Sequence, residues 1–179
     1  EISFNREQEY VSNKINLALK TDEYKPFLLH GVTGSGRTEI YIEAVRQCLE
    51  LKRTAIILLP EISLTPQIAG RFRSVFGDNI ALWHSKLTKR ERSLIWKEIC
   101  IGTYKVVIGA RSAIFTPLKN LGLIVIDEEQ ESSFCQDSPA PRYHARDVAL
   151  VRAKQTKSAI VLASATPSLE SFYNHLNDK

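Results

Sequence analysis

The chain has 179 residues, 44% of them hydrophobic and 25% charged, with 8 Gly, 7 Pro and no Met, a balance that excludes disordered, collagen-like and low-complexity chains. Its 24 Lys and Arg against 20 Asp and Glu leave a formal charge of +4, which permits a polyanionic partner without requiring one. The length suits one compact domain with a real core and leaves no room for a second.

In chain order, an amphipathic stretch over 6–19 predicts a first helix, and the apolar run at 27–30 a first strand. A helix over 37–51, a strand over 54–59, a helix over 64–76 and a strand over 80–83 follow. Next come a helix over 88–101 and strands over 105–108 and 121–126. Residues 131–143 are polar, hold two prolines and show no apolar period, which predicts an exposed loop. A helix over 145–154, a strand over 158–163 and a helix over 167–176 complete the pattern. The runs Ile56-Ile57-Leu58-Leu59 and Leu123-Ile124-Val125-Ile126 are apolar on both faces, as central strands of a parallel sheet require. The fold class predicted is α/β, a three-layer αβα arrangement around a mainly parallel sheet.

Cys48, Cys100 and Cys135 are odd in number, far apart and form no CxxC pair, so neither a disulfide framework nor a zinc site is suggested and a reducing cytoplasm fits best. His84 and His144, lacking a nearby cysteine pair, read as polar strand-end residues rather than metal ligands. No segment approaches eighteen uninterrupted apolar residues, and the first thirty residues are charged from the outset, so neither a membrane span nor a secretory signal is expected. A chain opening at Glu1 rather than Met is expected to be an excised or processed piece.

The chemistry begins after the first strand. Gly31-Val32-Thr33-Gly34-Ser35-Gly36-Arg37-Thr38 fits the phosphate-loop pattern GxxxxGK[ST] everywhere except the lysine. Such a loop turns backbone N–H groups around a phosphate, and the following helix adds its positive N-terminal end. Thr38 would give its hydroxyl to magnesium; the alternative is a glycine-rich turn without a ligand. Arg37 keeps the charge of the usual lysine but replaces a compact ammonium with a wide planar fork, which predicts retained nucleotide binding with impaired hydrolysis. Downstream, Asp127-Glu128-Glu129-Gln130 sits at the C-terminal end of an apolar strand, where open α/β sheets bind ligands. In this Walker B arrangement Asp127 would hold magnesium, Glu128 would orient or deprotonate the attacking water, and Glu129 and Gln130 would face the nucleotide and the coupling machinery.

These motifs, with Pro60-Glu61-Ile62-Ser63-Leu64-Thr65-Pro66-Gln67, Gly109-Ala110-Arg111-Ser112-Ala113, Arg142-Tyr143-His144-Ala145-Arg146-Asp147 and Ser164-Ala165-Thr166-Pro167-Ser168-Leu169-Glu170-Ser171, make the chain resemble the RecA-like ATP-binding lobe of superfamily-two helicases, specifically the bacterial replication-restart type. The resemblance spans nearly the whole chain. It implies ATP and Mg2+ as cofactors, Glu39 beside the phosphate loop, and Gln8 as reader of the adenine edge. The alternative for Gln8 is a helix start capped by Asn5. It further implies that Pro60, Glu61, Ser63, Thr65, Arg111 and Ser112 contact single-stranded DNA, although the segment at Pro60 also reads as a plain loop after a strand. Residues 131–143 resemble an aromatic-rich loop in which Phe134, Arg142 and Tyr143 would meet unpaired bases; the alternative is a surface loop with its aromatics tucked against the fold. Ser164 and Thr166 resemble the helicase motif that links hydrolysis to strand movement, and Thr166 also suits a helix cap before Pro167.

The resemblance thus implies a 3′-to-5′ DNA helicase acting in replication restart and primosome assembly, with single-stranded and forked DNA, primosome proteins and single-stranded DNA-binding protein as partners. A second lobe, a zinc module and amino-terminal DNA-binding domains of that family are not expected within these 179 residues, so the lobe alone should hydrolyse ATP poorly. Arg37 and Gln130, the latter standing where a histidine is expected, depart from the pattern and put coupling in question. The rival readings are a phosphate-loop ATPase that does not act on nucleic acid, and a degenerate module kept for nucleotide or DNA contacts.

Overall fold

The computed structural model describes residues 4–30 and 36–166. Gly31, Val32, Thr33, Gly34 and Ser35, and the helix expected over 167–176, lie outside the described residues.

Helix α1, Arg6–Thr21, starts where the Asn5 side chain accepts from the Gln8 backbone and the Gln8 side chain accepts from the Asn5 backbone, a capping box, and ends at Asp22 in the left-handed region. The order then runs β1 Lys25–His30, α2 Arg37–Glu50, β2 Thr54–Leu58, α3 Pro66–Phe76, β3 Ile80–Trp83, α4 Lys89–Ile101 and β4 Val106–Gly109. It continues through β5 Leu121–Asp127, β6 Cys135–Gln136, β7 Tyr143–His144, α5 Ala145–Thr156 and β8 Ala159–Ser164. Helix α3 is signalled by the Thr65 cap and Pro66 in its first turn, and α4 by a Thr88–Glu91 capping box and Gly102 at its end.

Six strands form one parallel sheet in the order β1-β8-β5-β2-β4-β3, so the expected class is observed and the predicted strands are displaced by at most two residues at either end. Alternation along the strands divides the core in two. Ala55, Ile57, Val106, Ile108, Leu123, Val125 and Val161 face α1, α2 and α3. Ile56, Leu58, Val107, Ile124, Ile126 and Ile160 face α4, α5 and the 3-10 turn Arg111–Phe115. Strands β2 and β4 are buried along their whole length, which is why their sequences are apolar without alternation. Each fully buried Ile or Leu contributes about 1.5–3 kcal/mol of transfer free energy, so this double layer dominates the stability.

The exposed loop expected over 131–143 is corrected. A 3-10 turn at Ser132–Phe134 drives Phe134 into the α5 side of the core, where it is 1% exposed, and β6 pairs antiparallel with β7. Only the segment 137–142 between them is exposed throughout. The Gln136 amide closes that segment by donating to the carbonyls of Pro139 and Pro141 at 2.9 and 3.0 Å. Polar composition hid this because one buried aromatic gives no period.

Since all strands of the large sheet run the same way, their C-terminal ends share one edge. There β1, β8 and β5 are neighbours, with His30 beside Ser164 and Asp127 beside Ala163. A ligand site belongs on this edge.

Candidate nucleotide site

Helix α2 begins at the same edge. Its N-cap, Gly36, has φ 78°, and a Cβ there would meet the Gln8 side-chain nitrogen at 2.3 Å, so both backbone conformation and space require glycine. The Gln8 side chain is therefore packed against the end of the phosphate-loop segment while its oxygen serves the α1 cap. The two readings of Gln8 describe the two ends of one amide.

Arg37 opens the first turn of α2 and is 6% exposed. Its guanidinium pairs with Glu128 through Nη2 and lies 3.3 Å from Asp127 Oδ1 through Nη1, so the fork spans both carboxylates. Tyr41, one helical turn on and 1% exposed, donates to Asp127 Oδ1 at 2.9 Å. Burial acts on all four groups. It pushes the Asp127 carboxyl above the ordinary range even though Arg37 and the Tyr41 hydroxyl pull the other way. Burial also acts to raise Glu128, but there the Gln130 amide and Arg37 outweigh it and hold the carboxyl below its usual value. Burial works to lower the Arg37 guanidinium, and its contacts with Glu128 and Asp127 overcome that and raise it. The Tyr41 phenol is raised well above its ordinary value, by burial first and then by Asp127. The site thus holds one cation between two carboxylates of unlike affinity for protons.

Glu128 has φ 52°, an unusual left-handed conformation for a glutamate. That turn separates its neighbours. Gln130 is brought to the site: its Nε2 donates to Glu128 Oε2 at 2.8 Å, and its Oε1 accepts from the Ser164 hydroxyl at 2.5 Å. Because a carboxylate only accepts, the NH2 end of the amide must face Glu128, which leaves the oxygen for Ser164. Ser164 Oγ in turn accepts from the Thr166 backbone N–H at 2.8 Å. Glu129, expected to face the nucleotide, is corrected: it is fully buried, with its carboxylate 3.4 Å from Arg146 of α5. The turn at Glu128 sends it under the sheet edge, where only a paired charge is tolerated.

The remaining predicted residues are spread along the same edge. Thr38 and Glu39 lie in the first turn of α2, and Glu39 pairs with Arg71 of α3 rather than standing beside the loop alone. Pro60 is buried, which corrects the expectation that it meets a DNA strand directly. Glu61 is exposed and accepts from the Ser85 backbone at 3.0 Å and from its hydroxyl, which with the charges of His84 and Lys86 lowers its carboxyl. Ser63 closes the 3-10 turn Glu61–Ser63, and Thr65 caps α3.

Arg111 donates to the carbonyls of Ser133 and Cys135 at 3.3 and 2.8 Å, with its guanidinium carbon 5.8 Å from the Tyr143 ring centroid. Phe115 meets that ring edge-on at 5.0 Å. The Ser112 hydroxyl accepts from the Trp83 indole at 3.0 Å. Arg142 is exposed and Tyr143 half-buried, whereas Phe134, in the core, offers no face to a base, a second correction to the set.

Sequence reasoning missed Tyr41 and Arg146. The first is signalled by its spacing of four from Arg37 on an apolar helix face, because a buried phenol needs an acceptor. The second has no such signal.

Three comparisons bear on this site. A family described as DEAD/DEAH box helicase matches residues 7–174. The chain is 50% identical over 166 residues to the replication restart protein PriA of Bacillus subtilis, a stretch that takes in 93% of this chain but only 20% of that protein. Among solved structures, RecG bound to a three-way DNA junction superposes with a TM-score of 0.71 at 23% identity, covering 97% of this chain and 22% of the other. The Pyrococcus furiosus Hef helicase domain superposes at 0.64 with 20% identity, over 96% of this chain and 35% of that domain. These two likenesses bear on the fold alone. Among the described residues no helix is long and apolar enough to cross a membrane.

Proposed function

Because the chain belongs to the DEAD/DEAH box helicase family, we propose that it is the ATP-binding lobe of a DNA helicase of the replication-restart kind. The observation that carries the reading is the unbroken contact path from Tyr41 through Asp127, Arg37, Glu128 and Gln130 to Ser164 and Thr166, all at the edge where a parallel sheet receives its ligand.

The donors suit magnesium, a hard cation that takes oxygen ligands. The Thr38 hydroxyl and the Asp127 carboxylate would hold it, and Asp127 keeps Oδ2 clear of any donor among the described residues. Bound there, the ion supplies charge neutralisation to the phosphates. The chain does the rest. The backbone of 31–36 and the start of α2 cradle the phosphates, and Glu39 and Gln8 stand at the flank of that segment. Glu128, held as an anion by Gln130 and Arg37, accepts hydrogen bonds from a water and orients it, and is the base for its proton. Arg37 gives the phosphates a positive charge but must release part of its grip on the two carboxylates to do so, which makes turnover slow. Gln130 and Ser164 pass the state of Glu128 toward Thr166 and the chain beyond.

DNA would run along the same edge, over Glu61, Ser63 and Thr65 and toward Ser112, Arg142 and Tyr143, with Arg111 bracing the Tyr143 segment from beneath. Single-stranded and forked DNA, primosome proteins and single-stranded DNA-binding protein are the partners this reading carries, in the cytoplasm. The chain spans about a fifth of the PriA relative it matches, so translocation and unwinding belong to the longer protein.

ATP turnover of that longer protein, with and without single-stranded DNA, tests the proposal. Stimulation by DNA is expected; turnover indifferent to DNA would point to an ATPase that does not act on nucleic acid.

A further inference from the structure

Tyr41 contributes one atom that its packing does not need. The ring is 1% exposed and belongs to the core between α2 and the sheet, where a phenylalanine would fill the same space. Its hydroxyl is directed at Asp127 Oδ1, 2.9 Å away.

The other contacts to that carboxylate fall on the same oxygen. Oδ1 also accepts from the Glu128 backbone N–H at 3.1 Å and faces Arg37 Nη1 at 3.3 Å. Among the described residues no donor reaches Oδ2. Without the phenol, the carboxylate would hang on an adjacent N–H of its own chain, which moves with it, and on a guanidinium whose stronger contact is with Glu128. Tyr41 is thus the one neutral contact to Oδ1 that comes from a different element, and its buried ring allows it little movement.

We infer that Tyr41 is a positioning residue for the cation site: its hydroxyl pins Oδ1 of Asp127 so that Oδ2 is presented to the divalent ion. This rests on the reading of the site as one for magnesium and ATP. A hydrogen bond that merely satisfied a buried hydroxyl would affect folding stability alone, whereas one that orients a ligand changes metal affinity, by about 10–100-fold for comparable outer contacts.

The test uses Tyr41→Phe in the whole chain, with a fluorescent ATP analogue titrated over a series of Mg2+ concentrations and again in EDTA. The expected result is an apparent Mg2+ affinity weakened about tenfold, with metal-free nucleotide affinity unchanged. Adding Tyr41→Phe to Asp127→Asn should then change neither, because the pinned oxygen has lost its partner. A Tyr41→Phe chain that loses thermal stability but keeps the Mg2+ dependence of the parent overturns the inference and leaves the nucleotide site standing. A parent chain that binds no nucleotide in either condition removes the site, and the inference with it.

Discussion

Two buried arginines occupy opposite edges of the sheet and are satisfied in different ways. Arg53, 9% exposed at the start of β2, donates through Nη2 to the carbonyls of Leu121, Thr156 and Lys157 at 2.7, 3.2 and 3.1 Å, and pairs through Nη1 with the exposed Asp22 at 2.9 Å. Arg37, 6% exposed at the other edge, is held by two carboxylates. Carbonyls are fixed by the backbone and do not titrate, so Arg53 is a permanent tie between the ends of α1 and α5 and the start of β5. Carboxylates can be taken over by a metal ion or a proton, so the Arg37 arrangement is one that a ligand can rearrange. The comparison teaches that burial of a charge does not by itself mark a functional site; the exchangeability of its partners does.

The largest expected effect breaks the Arg53 side. Arg53→Met strands three carbonyls and should cost about 3 kcal/mol in urea unfolding, with nucleotide affinity of the folded fraction unchanged. On the other side, Arg37→Lys restores a compact ammonium that cannot span both carboxylates. ATP turnover of the longer protein with DNA present should rise about tenfold, a barrier change of ~1.4 kcal/mol, while unfolding free energy moves by less than about 1 kcal/mol. Unchanged turnover would remove Arg37 as the brake.

A smaller effect appears in the pH dependence. Burial raises the Asp127 carboxyl above its unfolded value, so the folded chain binds the extra proton, and this contribution to stability is present below the unfolded value and lost as pH rises past it. Glu128, held low, acts oppositely: its contribution is present above its unfolded value and fades as pH falls. Unfolding free energy followed from about pH 4 upward should therefore decline less with rising pH in Asp127→Asn than in the parent chain. The smallest effect is a control outside both regions. Burial pushes the Cys48 thiol up to about 12, so iodoacetamide at pH 8 should leave it unmodified in the folded chain while the half-buried Cys100 and Cys135 react, as read by mass spectrometry.

Much of this was legible in the sequence. The strands were, because runs such as 56–59 and 123–126 are apolar without a break, and so was the pairing of the Arg37 segment with Asp127 and Glu128, because both follow strands. What escaped depended on single residues without a pattern. Phe134 is one aromatic in a polar stretch, and only the 3-10 turn at Ser132–Phe134 aims it inward. Glu129 adjoins two site carboxylates, and only the left-handed turn at Glu128 separates it from them. Arg53 precedes a strand as many surface cations do, and its three carbonyl partners come from distant parts of the chain.

The central claim is that the edge formed by α2, β5 and β8 takes ATP with magnesium through Asp127. Calorimetric titration of the chain with ATP, in Mg2+ and in EDTA, tests it most directly. Saturable binding that tightens with Mg2+, and loses that dependence in Asp127→Asn, is the predicted result. Absence of saturable binding, or binding indifferent to Mg2+ in the parent chain, would contradict it.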